Sequence, residues 1–199
     1  MTTKYGFSDV RGQLIEDLRN AYPTEWEDFR SAKILGEDIF GTPKPHPNAV
    51  LDLFEAQGVA FAVPFAAYRA SIGGLSGLMS DKPGTVLRQR TLVTTINGMH
   101  TLQYNLASHA VYVAFHGGYI RVCPNRTCAF NVRTSPIKQR MEAMEKLFNA
   151  VIVQREGGVL DPPSLEHLLC TQCAKCLELI HYTWASIAWD KLALIFNPS

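Results

Sequence analysis

Five cysteines carry most of the chemistry open to this sequence. Cys123 and Cys128 stand in Cys-Pro-Asn-Arg-Thr-Cys, a C-x4-C spacing rich in turn formers. Cys170 and Cys173 form C-x2-C, and Cys176 follows three residues later. A structural zinc takes four thiolate or imidazole ligands in a tetrahedron, with sulfur about 2.3 Å from the metal. A tight turn bearing two cysteines supplies two such ligands. Two cysteines at i and i+3 of a helix start supply two more from one face. Cys123, Cys128, Cys170 and Cys173 are therefore read as ligands of a structural Zn2+, a closed site with no position left for catalysis. Cys176 lies on nearly the same helical stripe and competes with Cys170 or Cys173 as a ligand. His167, three residues before Cys170, is a further substitute.

Two other readings use the same residues. Free cysteines are often ordinary small buried hydrophobes. Cys170 and Cys173 could instead be a redox pair, although no βαβ pattern surrounds them. On the zinc reading, four thiolates leave a net negative cluster. Arg121, Arg126 and Lys175 are adjacent to ligands in sequence and would offset that charge.

The remaining polar residues offer less. Glu178 and His181 form E-x-x-H, but a di-iron site needs a second such motif and two further glutamates. His100, His109 and His116 recur at spacings that miss the i,i+4 pattern of a helical metal pair, and are read as core or interface histidines. No G-x-S-x-G, Walker-type or G-x-G-x-x-G loop is present. A metal-dependent hydrolase would need another metal site with an open position. No catalytic residues are assigned.

Charge is distributed unevenly. Phe7 to Asp38 carries eight acidic and four basic residues. Gly118 to Arg140 carries Arg121, Arg126, Arg133, Lys138 and Arg140 and no acidic residue. With Tyr119 and Phe130 as stacking groups, that segment raises a zinc-dependent nucleic-acid-binding module as the alternative function. The overall charge of +1 opposes it.

These residues must be positioned by helices. Val10, Leu14, Leu18 and Tyr22 keep helical spacing after Ser8 as N-cap, and Pro23 stops that helix. Thr24 and Glu27 make a capping box for a short helix bearing Trp26 and Phe29. Residues Gly41 to Pro47 form a proline-rich connector. A helix is expected from about Pro47 to Gln57, stopped by Gly58. Val59 to Ile72 is apolar nearly all round and reads as a buried helix that Pro64 kinks or restarts. Gly73 to Gly84 is mostly turn with one short helical piece. Thr85 to His116 suits one long helix or two in series, with Ala110 to Phe115 β-rich enough to be a strand. Ser135-Pro136 begins a helix that runs to Glu156. The last helix has Ser164 as N-cap, and Leu165, Leu168, Leu169, Leu177, Ile180, Trp184, Ile187 and Leu192 line its buried side.

The 199 residues are 47% hydrophobic and 19% charged, enough apolar content for a real core. The longest apolar run, Val59 to Tyr68, is half a membrane span and contains Pro64, so no membrane association is expected. The N-terminus lacks a signal-peptide apolar region, which points to an intracellular chain, cytoplasmic or nuclear, with reduced thiols. The expected fold is mainly α: a helical bundle in which a small zinc knuckle staples the C-terminal helix. It divides into a helical region, 1–117, and a zinc-stapled region, 118–199, sharing one core.

Several short motifs resemble a family. Tyr5-Gly6-Phe7-Ser8-Asp9-Val10-Arg11 is similar to the helix that closes BTB/POZ domains. Tyr22-Pro23 with Trp26, then Ala62, Pro64, Ala67 and Tyr68, then Cys123 and Cys128, then Leu169-Cys170 and Cys173, then Trp189, Leu192 and Phe196, resemble the C-terminal extension of BTB-domain proteins of mushroom-forming fungi. Ala193 stands where that family commonly has Pro, and Cys176 is extra. The POZ core, which dimerises and binds cullin ligases in the family, has no counterpart in these residues. The resemblance implies a non-enzymatic module that docks a protein partner on a helical face or groove, and leaves a homodimer open.

Overall fold

A computed structural model describes residues 8–22, 24–31, 45–80, 82, 84–116, 123, 125, 128, 136–152, 160 and 169–196. Among the described residues the chain is mostly helical and has no strand, as the periodicity predicts. The helices are α1 (Ser8–Ala21), α2 (Trp26–Ser31), α3 (Pro47–Gln57), α4 (Val63–Ile72), α5 (Gly74–Leu78), α6 (Gln89–His116), α7 (Ile137–Ile152), α8 (Thr171–Asp190) and α9 (Leu192–Phe196).

Local chemistry sets several boundaries. His46 caps α3: its Nδ1 accepts from the Asn48 N–H at 3.2 Å. Gly58 ends the helix at φ 66°, a left-handed conformation that costs glycine little. Pro64 sits in the first turn of α4, where its missing N–H breaks no helical bond. It starts a helix rather than kinking one. Thr85 to His116 resolves into a single helix of 28 residues from Gln89. Ala110 to Phe115 belongs to it and is not a strand. An established helix adds one bond per residue fixed, and that outweighs the weak β preference of Val, Tyr and Phe.

The chain forms two compact units, Met1–Met99 with Trp189–Ser199, and His100–Ala188. These limits differ from the 1–117 and 118–199 division read from sequence, because α6 and α8 each run through a boundary.

In the first unit α4 packs against α3, α5 and α9. Ala62, Ala66, Ala67 and Ala70 are all buried, small residues around and within α4. Trp189, 2% exposed, meets Phe29 at a 4.2 Å ring separation and Phe65 at 5.0 Å. Its Nε1–H donates to the Thr24 carbonyl at 2.8 Å, so the buried indole loses no hydrogen bond. Asn48 is buried and donates from Nδ2 to the carbonyls of Gly77 and Thr85, both at 3.0 Å. One side chain thereby ties α3 to α5 and the loop after it.

In the second unit Leu106, Ala110, Leu147, Leu169, Ala174 and Leu177 form the core. Cys123, Cys128 and Cys173 are part of the same buried cluster.

The buried side of α8 differs from the expected one. Ile187 is half exposed, whereas Ala185, Ala188 and Trp189 are buried. Alanines make the contact face here, and a reading based on large apolar residues underweights them. The start of the last helix, placed at Ser164 from sequence, falls outside the described residues up to Leu169. From there the first helical bond is that of the Ala174 N–H to the Cys170 carbonyl.

Candidate metal centre

That bond makes Cys170 the N-cap of α8 and Cys173 its third helical residue. The two side chains therefore project from the first turn in the same direction. The Cys173 N–H also donates to the Cys170 sulfur, an orphan helix donor satisfied as a capping oxygen would satisfy it. The other pair stands on a turn in which the Cys128 N–H donates to the Asn125 carbonyl at 3.1 Å. The Asn125 N–H donates to the Cys123 sulfur. Each pair thus has one sulfur that accepts a backbone amide, an arrangement that favours thiolate.

All four predicted ligand positions converge. The sulfurs of Cys123, Cys128, Cys170 and Cys173 lie within 4.8 Å of one another. Cys123 Sγ is 3.5 Å from Cys170 Sγ, and Cys128 Sγ is 3.7 Å from Cys173 Sγ. The edge of a zinc–thiolate tetrahedron with bonds of about 2.3 Å is about 3.8 Å. All five cysteines are free thiols. Cys123, Cys128 and Cys173 are buried and Cys170 is half-buried. Cys176, one turn beyond Cys173, is half-buried and not a member of the group. Among the described residues no other set of three or more metal-ligating side chains converges. His167, Arg121 and Arg126 lie outside the described residues, as do Arg133, Tyr119 and Phe130 of the basic segment; Lys175 is exposed.

The four sulfurs influence one another electrostatically. Burial pushes the Cys173 thiol up, and its three sulfur neighbours push it further. Burial also raises Cys123. At Cys170 burial acts upward too, but the Cys173 amide and the neighbouring thiols outweigh it and bring the group down to about 7. Four protein sulfurs at these separations cannot all ionise by themselves, because each thiolate opposes the next. A divalent ion at the centre removes the conflict. Core and cluster are contiguous, so an ion there would tie the 123–128 turn to the start of α8.

His109 and His181 are core residues, whereas His100 is exposed and the side chain of His116 lies outside the described residues. His109 stacks on Trp184 with ring centres 5.0 Å apart and planes 15° from parallel. The buried His181 donates from Nε2 to the Leu160 carbonyl at 3.2 Å. Its E-x-x-H partner, Glu178, is exposed. Sequence spacing carries no sign of the His109–Trp184 stack, which depends on how α6 and α8 pair within this unit.

Burial, aided by the nearby His181, lowers His109 from 6.5 to about 4. The unfolded chain takes up a proton as pH falls through 6.5, whereas the folded chain resists until about 4. Stability is therefore complete above about pH 6.5 and declines towards pH 4. With allowance for residual solvent contact, the loss is about 2 kcal/mol. Urea unfolding of the wild type and of His109→Phe, which keeps a stacking ring, should show a shallower pH dependence in the variant. Equal slopes would rule this contribution out.

No protein-family model, curated protein or solved structure matches this chain. No helix among the described residues is long and apolar enough to cross a membrane.

Proposed function

We propose that this chain is a non-enzymatic, zinc-stabilised helical module for protein interaction, working inside the cell as the extension of a BTB-like protein of fungal type. One observation carries the metal part: four cysteine sulfurs, distant in sequence, stand within 4.8 Å of one another. The ion is zinc because four thiolates in a tetrahedral array suit it, and because it is redox-inert. Four protein ligands leave no position for water or substrate, so the ion holds structure and performs no reaction. The family part rests on the short motifs from Tyr5 to Phe196 alone, and the protein partner on the exposed helical faces.

Metal content tests the reading. Elemental analysis of the purified chain should give one zinc per chain, and a strong chelator should lower the thermal midpoint, because metal binding here is folding free energy. A metal-free chain with unchanged thermal stability would overturn it.

A further inference from the structure

The second unit carries an open apolar groove of about 700 Å³ that the metal does not explain. Met144 and Phe148 of α7, half-buried against the core of the unit, line its inner side, and the exposed Val111 of α6 borders it. Ile137 and Met141, 69% and 66% exposed, stand at its opening. Ile137, Met141, Met144 and Phe148 follow the alternating four- and three-residue spacing of a coiled-coil seam. Yet their outer side faces solvent.

We infer that this groove is the interface with a second copy of the chain, α7 lying antiparallel against α7 of the partner about a two-fold axis. The pattern of the seam is self-complementary. In a pair centred between residues 142 and 143, Ile137 faces Phe148 of the other copy and Met141 faces its Met144. A two-fold interface repeats each such contact in reverse, so all four seam residues of both copies are covered. The flanking charges fit the same register. Lys138 and Glu145 both border the groove, on the same edge of the helix and seven residues apart. In the antiparallel pair Lys138 meets Glu145 of the other copy, and the converse contact forms on the far side of the axis. A parallel pair forms no Lys138–Glu145 contact, because a two-fold axis along the seam places the edges that carry these residues on opposite sides of the pair. Glu142 falls near the axis at the outer edge, with Lys138 one turn away on its own helix to offset it. The inference rests on the reading of this unit as an interaction module and names what its groove takes.

Sedimentation equilibrium of the zinc-loaded full chain across a dilution series tests it. The expected mass at high concentration is twice 22.1 kDa. Lys138→Glu alone and Glu145→Lys alone each set like charges opposite one another at two symmetric places, and should weaken the dimer by about tenfold or more. Mixing the two single variants restores opposite charges at both places and should restore dimer, as should the double variant. Met141→Glu should give monomer. Helix content and zinc stoichiometry, read on every sample, separate a folded monomer from a chain that has lost its metal or its fold. A folded, zinc-loaded wild type that stays monomeric overturns the dimer and leaves the metal reading standing. A dimer indifferent to both charge reversals, or single variants that do not associate when mixed, would also overturn it.

Discussion

Cys173→Ser is expected to unfold the second unit. The sulfur is buried as one of the quartet, and Leu106, Ala110, Leu147 and Leu177 belong to the same core. Serine keeps the size but not the metal affinity, and it puts a hydroxyl among sulfurs. Binding of a structural zinc is worth about 10–16 kcal/mol in small zinc domains. Loss of one ligand in four should cost about 5 kcal/mol or more, comparable with the whole stability of a domain. Cys176→Ser is the control. That thiol stands one turn away, outside the group, so the variant should keep one zinc per chain and stay within about 1 kcal/mol of wild type. Zinc stoichiometry with thermal melting followed by circular dichroism reads both. Normal zinc content and an unchanged melt for Cys173→Ser would show that the ligand set is wrong.

Gly98→Ala should destabilise the first unit, although alanine is the better helix former. Gly98 lies inside α6, where a Cβ would stand 2.3 and 2.5 Å from two carbons of the Phe196 ring. Phe196 is 1% exposed and cannot swing into solvent without opening the contact of α9 with α4. Overpacking of this kind costs about 1–3 kcal/mol or more, against about 0.5–1 kcal/mol gained from helix propensity. A net loss of about 2 kcal/mol in urea unfolding is expected. Gly12→Ala, in α1, has nothing within 4 Å of the added carbon and should instead stabilise by about 0.5–1 kcal/mol. The opposite signs of two identical substitutions make the comparison decisive. A stabilising Gly98→Ala would disprove the close packing on Phe196.

Much of this was legible before the structure, because prolines and glycines act locally. Pro47 and Gly58 bracket α3 with no help from the rest of the chain. The four-cysteine site was legible for a related reason: turn and helix-start spacings are local, and only the meeting of the two pairs is not. Cys176 could not be excluded that way, since helical periodicity alone leaves it beside its neighbours. In the structure the sulfurs of Cys170 and Cys173 meet those of Cys123 and Cys128, and Cys176 is not among them. Gly98 does carry a signal in the sequence, a glycine in the middle of a long helical pattern. What it makes room for, a phenylalanine 98 residues later, is a tertiary fact. The alanine face of α8 is silent in the sequence for the same reason, because small residues report close approach only once the neighbour is known.

The hydrogen bond from Trp189 to the Thr24 carbonyl spans 165 positions of sequence. At synthesis rates of about 5–20 residues per second, Thr24 leaves the ribosome roughly 10–30 s before the indole that seals it. Throughout that interval the ring cluster around Phe29, Phe65 and Tyr68 lacks its central member. Residues 100–188, all translated before Trp189, meanwhile emerge as one uninterrupted stretch. Assembly during translation therefore runs against the order of the text: the part encoded second can close first, and the part encoded first waits for Trp189 and the residues that follow it.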